Sequence, residues 1–176
     1  KISLTKTAIN YLLPNSSYYW GHAFTQTQNT EDYKRILIAI ITKPPQSHHS
    51  YIKKNITHMW KTGYIDPEMA ETFTKVMHST ISSSALLAVS SNAFNGISHL
   101  LDIGGGSGCF SVAFTNCYSK SSATIFELPA VCSIIANQIC NSQIKLKSGN
   151  FFVDDFPHGC DGILLSNILH DWEVEV

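Results

Sequence analysis

A chain of 176 residues, 14% of them charged and with a formal net charge of −1, has room for one or two small domains around a buried core. That balance argues against an electrostatic grip on nucleic acid. No apolar run approaches the roughly 20 residues a membrane helix needs, and no secretory signal is visible.

Residues 1–96 read as mostly helical. Tyr33 to Ile41 is an apolar-rich segment that Lys43-Pro44-Pro45 would end, and His48-His49 follows in a polar loop. Tyr51 to Trp60 and Pro67 to about Val89 carry helical spacing. In the second, Met69, Phe73, Val76, Met77, Ile81, Ala85 and Leu86 recur at three- and four-residue intervals. Asp66-Pro67-Glu68 is a start signal for it, with Pro at the first helical position. Asn92 to Ser98 reads as a short polar linker and a domain seam.

After the seam the pattern becomes an α/β alternation. Leu100–Ile103 reads as a strand, Phe110–Cys117 as a helix and Ala123–Phe126 as a second strand closed by Glu127. Pro129 opens a helix running to about Ile139. Ile144–Lys147 is a third strand, and Gly162–Ser166 is an apolar run of the kind covered on both faces. Strands alternating with helices imply a parallel sheet.

In such a sheet, ligands bind outside the carboxyl ends of the strands. Asp102 with Gly104, Gly106 and Gly108 marks the first end, where glycine allows a tight turn and close backbone approach to a ligand. A dinucleotide fingerprint would need glycine at Cys109, so the NAD-linked reading is disfavoured. Glu127 closes the second strand, placed to accept hydrogen bonds from both hydroxyls of a ribose. Gly149-Asn150-Phe151-Phe152 follows the third; an amide can bond an adenine edge and an aromatic ring can stack on its face, although at least one phenylalanine should be core. Ser166-Asn167-Ile168-Leu169-His170-Asp171-Trp172 follows the fourth. A lone histidine is more often structural, but His170 falls beside the other strand ends, and a neutral imidazole suits proton removal from a hydroxyl near pH 7.

Asp102-Ile103-Gly104-Gly105-Gly106-Ser107-Gly108 resembles motif I of class I S-adenosylmethionine-dependent methyltransferases. With Phe126-Glu127-Leu128-Pro129, Gly149-Asn150-Phe151-Phe152 and Leu169-His170-Asp171-Trp172, it occurs in the order and spacing of the small-molecule O-methyltransferases. The resemblance covers most of residues 60–176. It implies a Rossmann-like parallel sheet over 97–176, preceded over 1–96 by a helical winged-helix, dimerising and acceptor-pocket region that includes Leu4-Thr5, Tyr11-Leu12-Leu13 and Trp20-Gly21. The implied activity is methyl transfer from S-adenosylmethionine to a hydroxyl of a small phenolic or natural-product acceptor, by a homodimer, without a metal.

By the same resemblance, the glycine loop holds the methionine end of the cofactor, Glu127 and Leu128 the ribose side, and Gly149, Asn150 and Phe151 the adenine. His170 is the general base with Asp171 beside it, and Ser166 and Trp172 lie near the cofactor or base. Phe73 and Met77 match the helix covering the acceptor, with helical core as their plain alternative. Two departures stand out: the family often has Asp at Asn150, and plant members have Lys at Ser166. The competing functional reading is a methyltransferase-like module that binds cofactor or partner without turnover.

The chain opens on Lys1 and closes at Val176 inside an expected helix, which reads as a segment of a longer protein lacking the last strands of the sheet. The five cysteines, Cys109, Cys117, Cys132, Cys140 and Cys160, form no C-x-x-C pair, and their scatter points to buried thiols in a reducing, cytoplasmic setting. The sequons at Asn15 and Asn55 then read as chance matches. His48, His49, His58 and His78 show no metal-ligand spacing.

Overall fold

The computed structural model describes residues 3–28 and 57–172. The expected helix from Tyr33, its Pro44-Pro45 stop, the His48-His49 loop and the start of the Tyr51 helix lie outside the described residues. Helix α1 spans Lys6–Leu12, with the Thr5 hydroxyl accepting from Ala8 N at 3.1 Å, and α2 spans Gly21–Gln28. The chain is helical again over 57–62.

Helix α3, Pro67–Val89, starts where Asp66-Pro67 predicts it. The Asp66 carboxylate accepts from the amides of Glu68 and Met69 at 3.0 and 3.2 Å, satisfying donors that a helix start leaves unpaired. Its buried stripe, Ala70, Thr74, Ala85 and Val89, consists of small residues, which lets α3 lie close to its neighbours. The 92–98 segment is more than a polar linker. A single 3-10 turn, Asn92–Phe94, buries Phe94 against Phe114, with ring centroids 6.0 Å apart.

Four parallel strands follow: β1 His99–Ile103, β2 Ser122–Glu127, β3 Ile144–Ser148 and β4 Gly162–Leu164, in the spatial order β3-β2-β1-β4. Helix α4, Cys109–Cys117, connects β1 to β2, and α5, Pro129–Ile135, connects β2 to β3. The chain moves outward from β1 through β2 to β3, then returns to place β4 on the other side of β1. The strand order therefore reverses between β1 and β4, the crevice where α/β sheets take ligands.

Alternate residues of the central strands enter two cores. Leu100, Ala123 and Ile125 pack with Val89, Phe114, Val131, Ile135 and Ile144, while Leu101, Ile103 and Phe126 pack with Phe151 on the opposite face. At about 25 cal/mol per Å² of apolar area, the buried side chains of these two cores are a main stabilising term of the fold.

Three expectations need correction. The β4 run is not covered on both faces: Ile163 is 67% and Leu165 40% exposed, because β1 is its single strand neighbour among the described residues and nothing described packs over Ile163. Helix α5 stops at Ile135 rather than near Ile139. There the Gln138 amide donates to the Ile135 carbonyl at 2.9 Å, which tightens the last turn. Nor are all the thiols buried, since Cys117 and Cys140 are exposed. None of the described helices is long and apolar enough to cross a membrane.

Candidate functional site

The carboxyl ends of the strands meet through backbone contacts. Gly104 N donates to Phe126 O and Gly149 N to Glu127 O, both at 2.9 Å, tying the chain beyond β1 to β2 and the chain beyond β3 to β2. Gly104, Gly106 and Gly108 have φ of +63°, +53° and +74°, the left-handed region that favours glycine. Their surroundings differ. A Cβ on Gly104 would strike Ile168, and one on Gly108 would lie 2.7 Å from both Ile125 Cδ1 and Ile139 Cδ1. A Cβ on Gly106 would meet nothing within 4 Å. Gly106 thus borders open space at the mouth of the loop, and the Gly104–Ile168 proximity sets the turn after β4 against it.

Two buried acids underlie this loop. Asp102 is 1% exposed, beneath Gly105, and its Oδ2 accepts from Ser111 Oγ at 2.7 Å. Burial pushes its carboxyl up to about 6, opposed by the Ser111 hydrogen bonds. This geometry makes Asp102 a support of the loop from below. Glu127 is turned into the loop itself: Oε2 accepts from Gly106 N at 3.0 Å and Oε1 from Leu128 N at 2.7 Å. Burial raises its pKa, the two amides act the other way, and the nearby Asp102 adds to the rise. An ionised carboxylate has about four acceptor positions, so two amides leave positions for other donors. Cys109, at the start of α4, is pushed up to about 11 by burial, which leaves it a neutral thiol near pH 7.

Asn150 is buried and engaged at both ends of its amide. Oδ1 accepts from Phe152 N at 3.0 Å, and Nδ2 donates to the Lys61 carbonyl at 3.1 Å across 89 residues of sequence. A carboxylate here could not donate to that carbonyl, which gives a physical reason for Asn at this position. Phe151 is half-buried against the second core and Phe152 is exposed, so the former takes the core role. The Phe152 ring lies 4.5 Å from both Phe151 and Trp172, linking the third strand end to the fourth.

Beyond β4, Ser166 is half-buried, and Asn167 adopts φ 55°, unusual for a residue with a Cβ. A 3-10 turn, Leu169–Asp171, then presents His170, whose side chain is 62% exposed with Nε2 3.5 Å from Asp171 Oδ1. On α3, Met77 is half-buried and Phe73 packs on Trp60 at 5.1 Å. Next to Met77, His78 Nδ1 lies 2.9 Å from Ser107 Oγ in the glycine loop. That contact brings α3 to the site, and sequence reasoning missed it, having weighed His78 as a metal ligand alone. No local pattern announces a partner 29 residues away. No group of three or more metal-ligating side chains occurs among the described residues.

Residues 38–176 match the O-methyltransferase domain family, and the chain belongs to that family. Among curated relatives, it is 26% identical over 175 residues to the 3-hydroxy-5-methyl-1-naphthoate 3-O-methyltransferase of Streptomyces sahachiroi, covering 96% of this chain and 49% of the relative. It is 34% identical over 121 residues to the (RS)-norcoclaurine 6-O-methyltransferase of Coptis japonica, covering 66% of this chain and 33% of that enzyme. The chain thus spans half or less of the length of these relatives. Human N-acetylserotonin methyltransferase, solved in complex with SAM, shares the fold with a TM-score of 0.75 at 19% identity, over 96% of this chain and 49% of that one.

Proposed function

We propose that the protein is an S-adenosylmethionine-dependent O-methyltransferase that methylates a hydroxyl of a small phenolic or natural-product acceptor. One observation carries this reading: Glu127 reaches across from β2 to hold the Gly106 amide beside open space, at the strand ends flanking the β1–β4 reversal. The relatives' names favour the same chemistry, acting on a hydroxynaphthoate and on norcoclaurine.

S-adenosylmethionine supplies, when bound, a methyl group on a positively charged sulfur. The chain's part is to bind, align and deprotonate. Gly106 leaves the space where the methionine end lies, Gly104 and Gly108 allow the tight turn on either side of it, and Asp102 fixes the loop from beneath. Glu127 uses its remaining lone pairs for the ribose hydroxyls, and Leu128 borders that sugar. Gly149, Asn150 and Phe151 flank the adenine. Ser166 and Trp172 border the reacting end, and Phe73 and Met77 line the acceptor side on α3. His170 takes the acceptor's hydroxyl proton on its imidazole, and Asp171 steadies the resulting charge. Proton removal makes the oxygen nucleophilic, and alignment supplies several kcal/mol of the remaining barrier. A homodimer assembled through residues 1–96, a cofactor domain over 97–176 and a cytoplasmic setting belong to the same proposal.

The test is transfer of labelled methyl by the full-length protein to a panel of phenols. His170→Ala should leave S-adenosylhomocysteine affinity nearly intact and lower turnover about 10²–10⁴-fold. Equal turnover by both proteins on a weakly acidic hydroxyl removes His170 as base. Tight cofactor binding without turnover on any acceptor replaces the enzyme with a binding module.

A further inference from the structure

Gly104 has a neighbour that the other loop glycines lack. A Cβ there would overlap Ile168 Cδ1 and lie 3.4 Å from Ile168 Cγ1, so the Ile168 side chain rests on the bare Cα of Gly104. The seat is rigid: Gly104 follows β1 directly, and its amide donates to the Phe126 carbonyl on β2 at 2.9 Å. Ile168 is also the root of the turn that carries His170. Its carbonyl accepts from Asp171 N at 3.1 Å, and the Leu169 carbonyl accepts from Trp172 N at 3.2 Å. Just before it, Asn167 at φ 55° swings the chain away from the line of β4, a conformation asparagine tolerates better than most residues with a Cβ. Leu165 and Leu169 on this bend are exposed, whereas Ile168 is tucked inward. The His170 side chain is 62% exposed, so burial does not hold the ring, and its place follows from the turn. Trp172 ties the far side of that turn to Phe152, with ring centroids 4.5 Å apart, and Ile168 ties the near side to the glycine loop.

We propose that Ile168 is a positioning residue for His170, its side chain seated on Gly104 so that the base and the cofactor's loop keep one spacing. This rests on the function proposed above, in which His170 takes the acceptor's proton and the loop holds the methionine end. Alignment is where such a contact acts. The base must reach the acceptor hydroxyl while the methyl carbon lies in line with the same oxygen, and a misplacement of about 1 Å costs about 10²-fold in rate. The loop glycines then have separate tasks: Gly106 faces the ligand, and Gly104 receives the turn that bears the base. Isoleucine suits the seat, because its β-branch restricts χ1 while Cδ1 supplies the reach to Gly104. Valine keeps the branch and loses Cδ1, the atom that a Cβ on Gly104 would overlap.

The experiment is a double-mutant cycle in the full-length protein, read as the single-turnover rate of labelled methyl transfer at saturating S-adenosylmethionine. The acceptors are para-substituted phenols graded in acidity from 4-methoxyphenol to 4-nitrophenol. Ile168→Val should slow transfer about three- to tenfold and Gly104→Ala about ten- to 100-fold, within the cost of a misplaced base. In the Gly104→Ala background, Ile168→Val should instead speed transfer about threefold, because the overlapping atom is gone. Both single losses should be largest for 4-methoxyphenol and shrink toward 4-nitrophenol, whose acidic hydroxyl needs the base least. General damage to the fold would lower all the rates alike. Losses that simply add in the double variant, or that ignore the acceptor's acidity, overturn the role of Ile168. Ile168→Ala empties the seat without left-handed strain, so it keeps the test open if Gly104→Ala folds poorly. It should slow transfer about ten- to 100-fold with the same dependence on acidity, and a wild-type rate overturns the inference. His170→Ala separates this inference from the reading beneath it. A slow His170→Ala beside an undiminished Ile168→Ala removes the inference alone. Equal rates for His170→Ala and wild type on 4-methoxyphenol, or no wild-type transfer to any phenol, remove the base and the inference together.

Discussion

Gly106 and Gly108 share a backbone conformation but not an environment, so the same substitution should act on different properties. Gly106→Ala places a Cβ at φ +53° with no atom within 4 Å. Its stability cost is the left-handed strain alone, about 1–2 kcal/mol. Gly108→Ala carries the same strain at φ +74° and sets the methyl 2.7 Å from Ile125, which is fully buried, and from Ile139. Overpacking adds about 1–3 kcal/mol, for a total of about 2–5 kcal/mol. The open space beside Gly106 is where the ligand is placed, so Gly106→Ala should also weaken S-adenosylhomocysteine at least about tenfold, or about 1.4 kcal/mol. Urea unfolding without ligand reads the first quantity and calorimetry the second. Wild-type affinity in Gly106→Ala would refute the placement of the ligand, and equal destabilisation by the two variants would refute the packing argument.

Other outcomes follow from the buried polar groups. Asp102 sits at about 6 against an ordinary 3.8, so the folded state takes up this proton first as pH falls. Its contribution to stability then grows between about pH 6 and about pH 4, by about 3 kcal/mol at about 1.4 kcal/mol per pH unit. Wild type should gain that much on Asp102→Asn in urea unfolding between about pH 8 and about pH 4, and a constant difference contradicts the burial argument. Ser111→Ala removes the side-chain donor to that carboxylate and should destabilise by about 1–3 kcal/mol near neutral pH, whereas an unchanged urea midpoint removes Ser111 as its support. Asn150→Asp sets a carboxylate against the Lys61 carbonyl and should cost about 1–3 kcal/mol in the same assay, while stability equal to wild type denies the latch.

The framework was legible because its signals are local. Asp66-Pro67 starts α3, glycines follow an acid at the end of β1, and apolar runs alternate with helical spacing, so the strand ends can be placed from the sequence alone. What escaped depends on contacts across the fold. Glu127 reads as an acid free to meet a ligand, yet both its oxygens already accept backbone amides. Asn150 reads as a reader of a base edge, yet its amide joins the loop after β3 to the helical stretch at 57–62. His78 meets Ser107 by packing of α3 on the loop, which no periodicity encodes. The run at Gly162–Ser166 suggested two covered faces, since apolar content reports what a strand can bury and not what lies beside it.

The central claim is that these strand ends hold S-adenosylmethionine, and one calorimetric comparison tests it most directly. The full-length protein, wild type and Glu127→Ala, is titrated with S-adenosylhomocysteine and with NAD. The account predicts that wild type binds S-adenosylhomocysteine and not NAD, and that Glu127→Ala binds it more weakly by about 1–3 kcal/mol, the range for hydrogen bonds to a charged group. Binding of NAD in preference, or identical S-adenosylhomocysteine affinity in the two proteins, would contradict it.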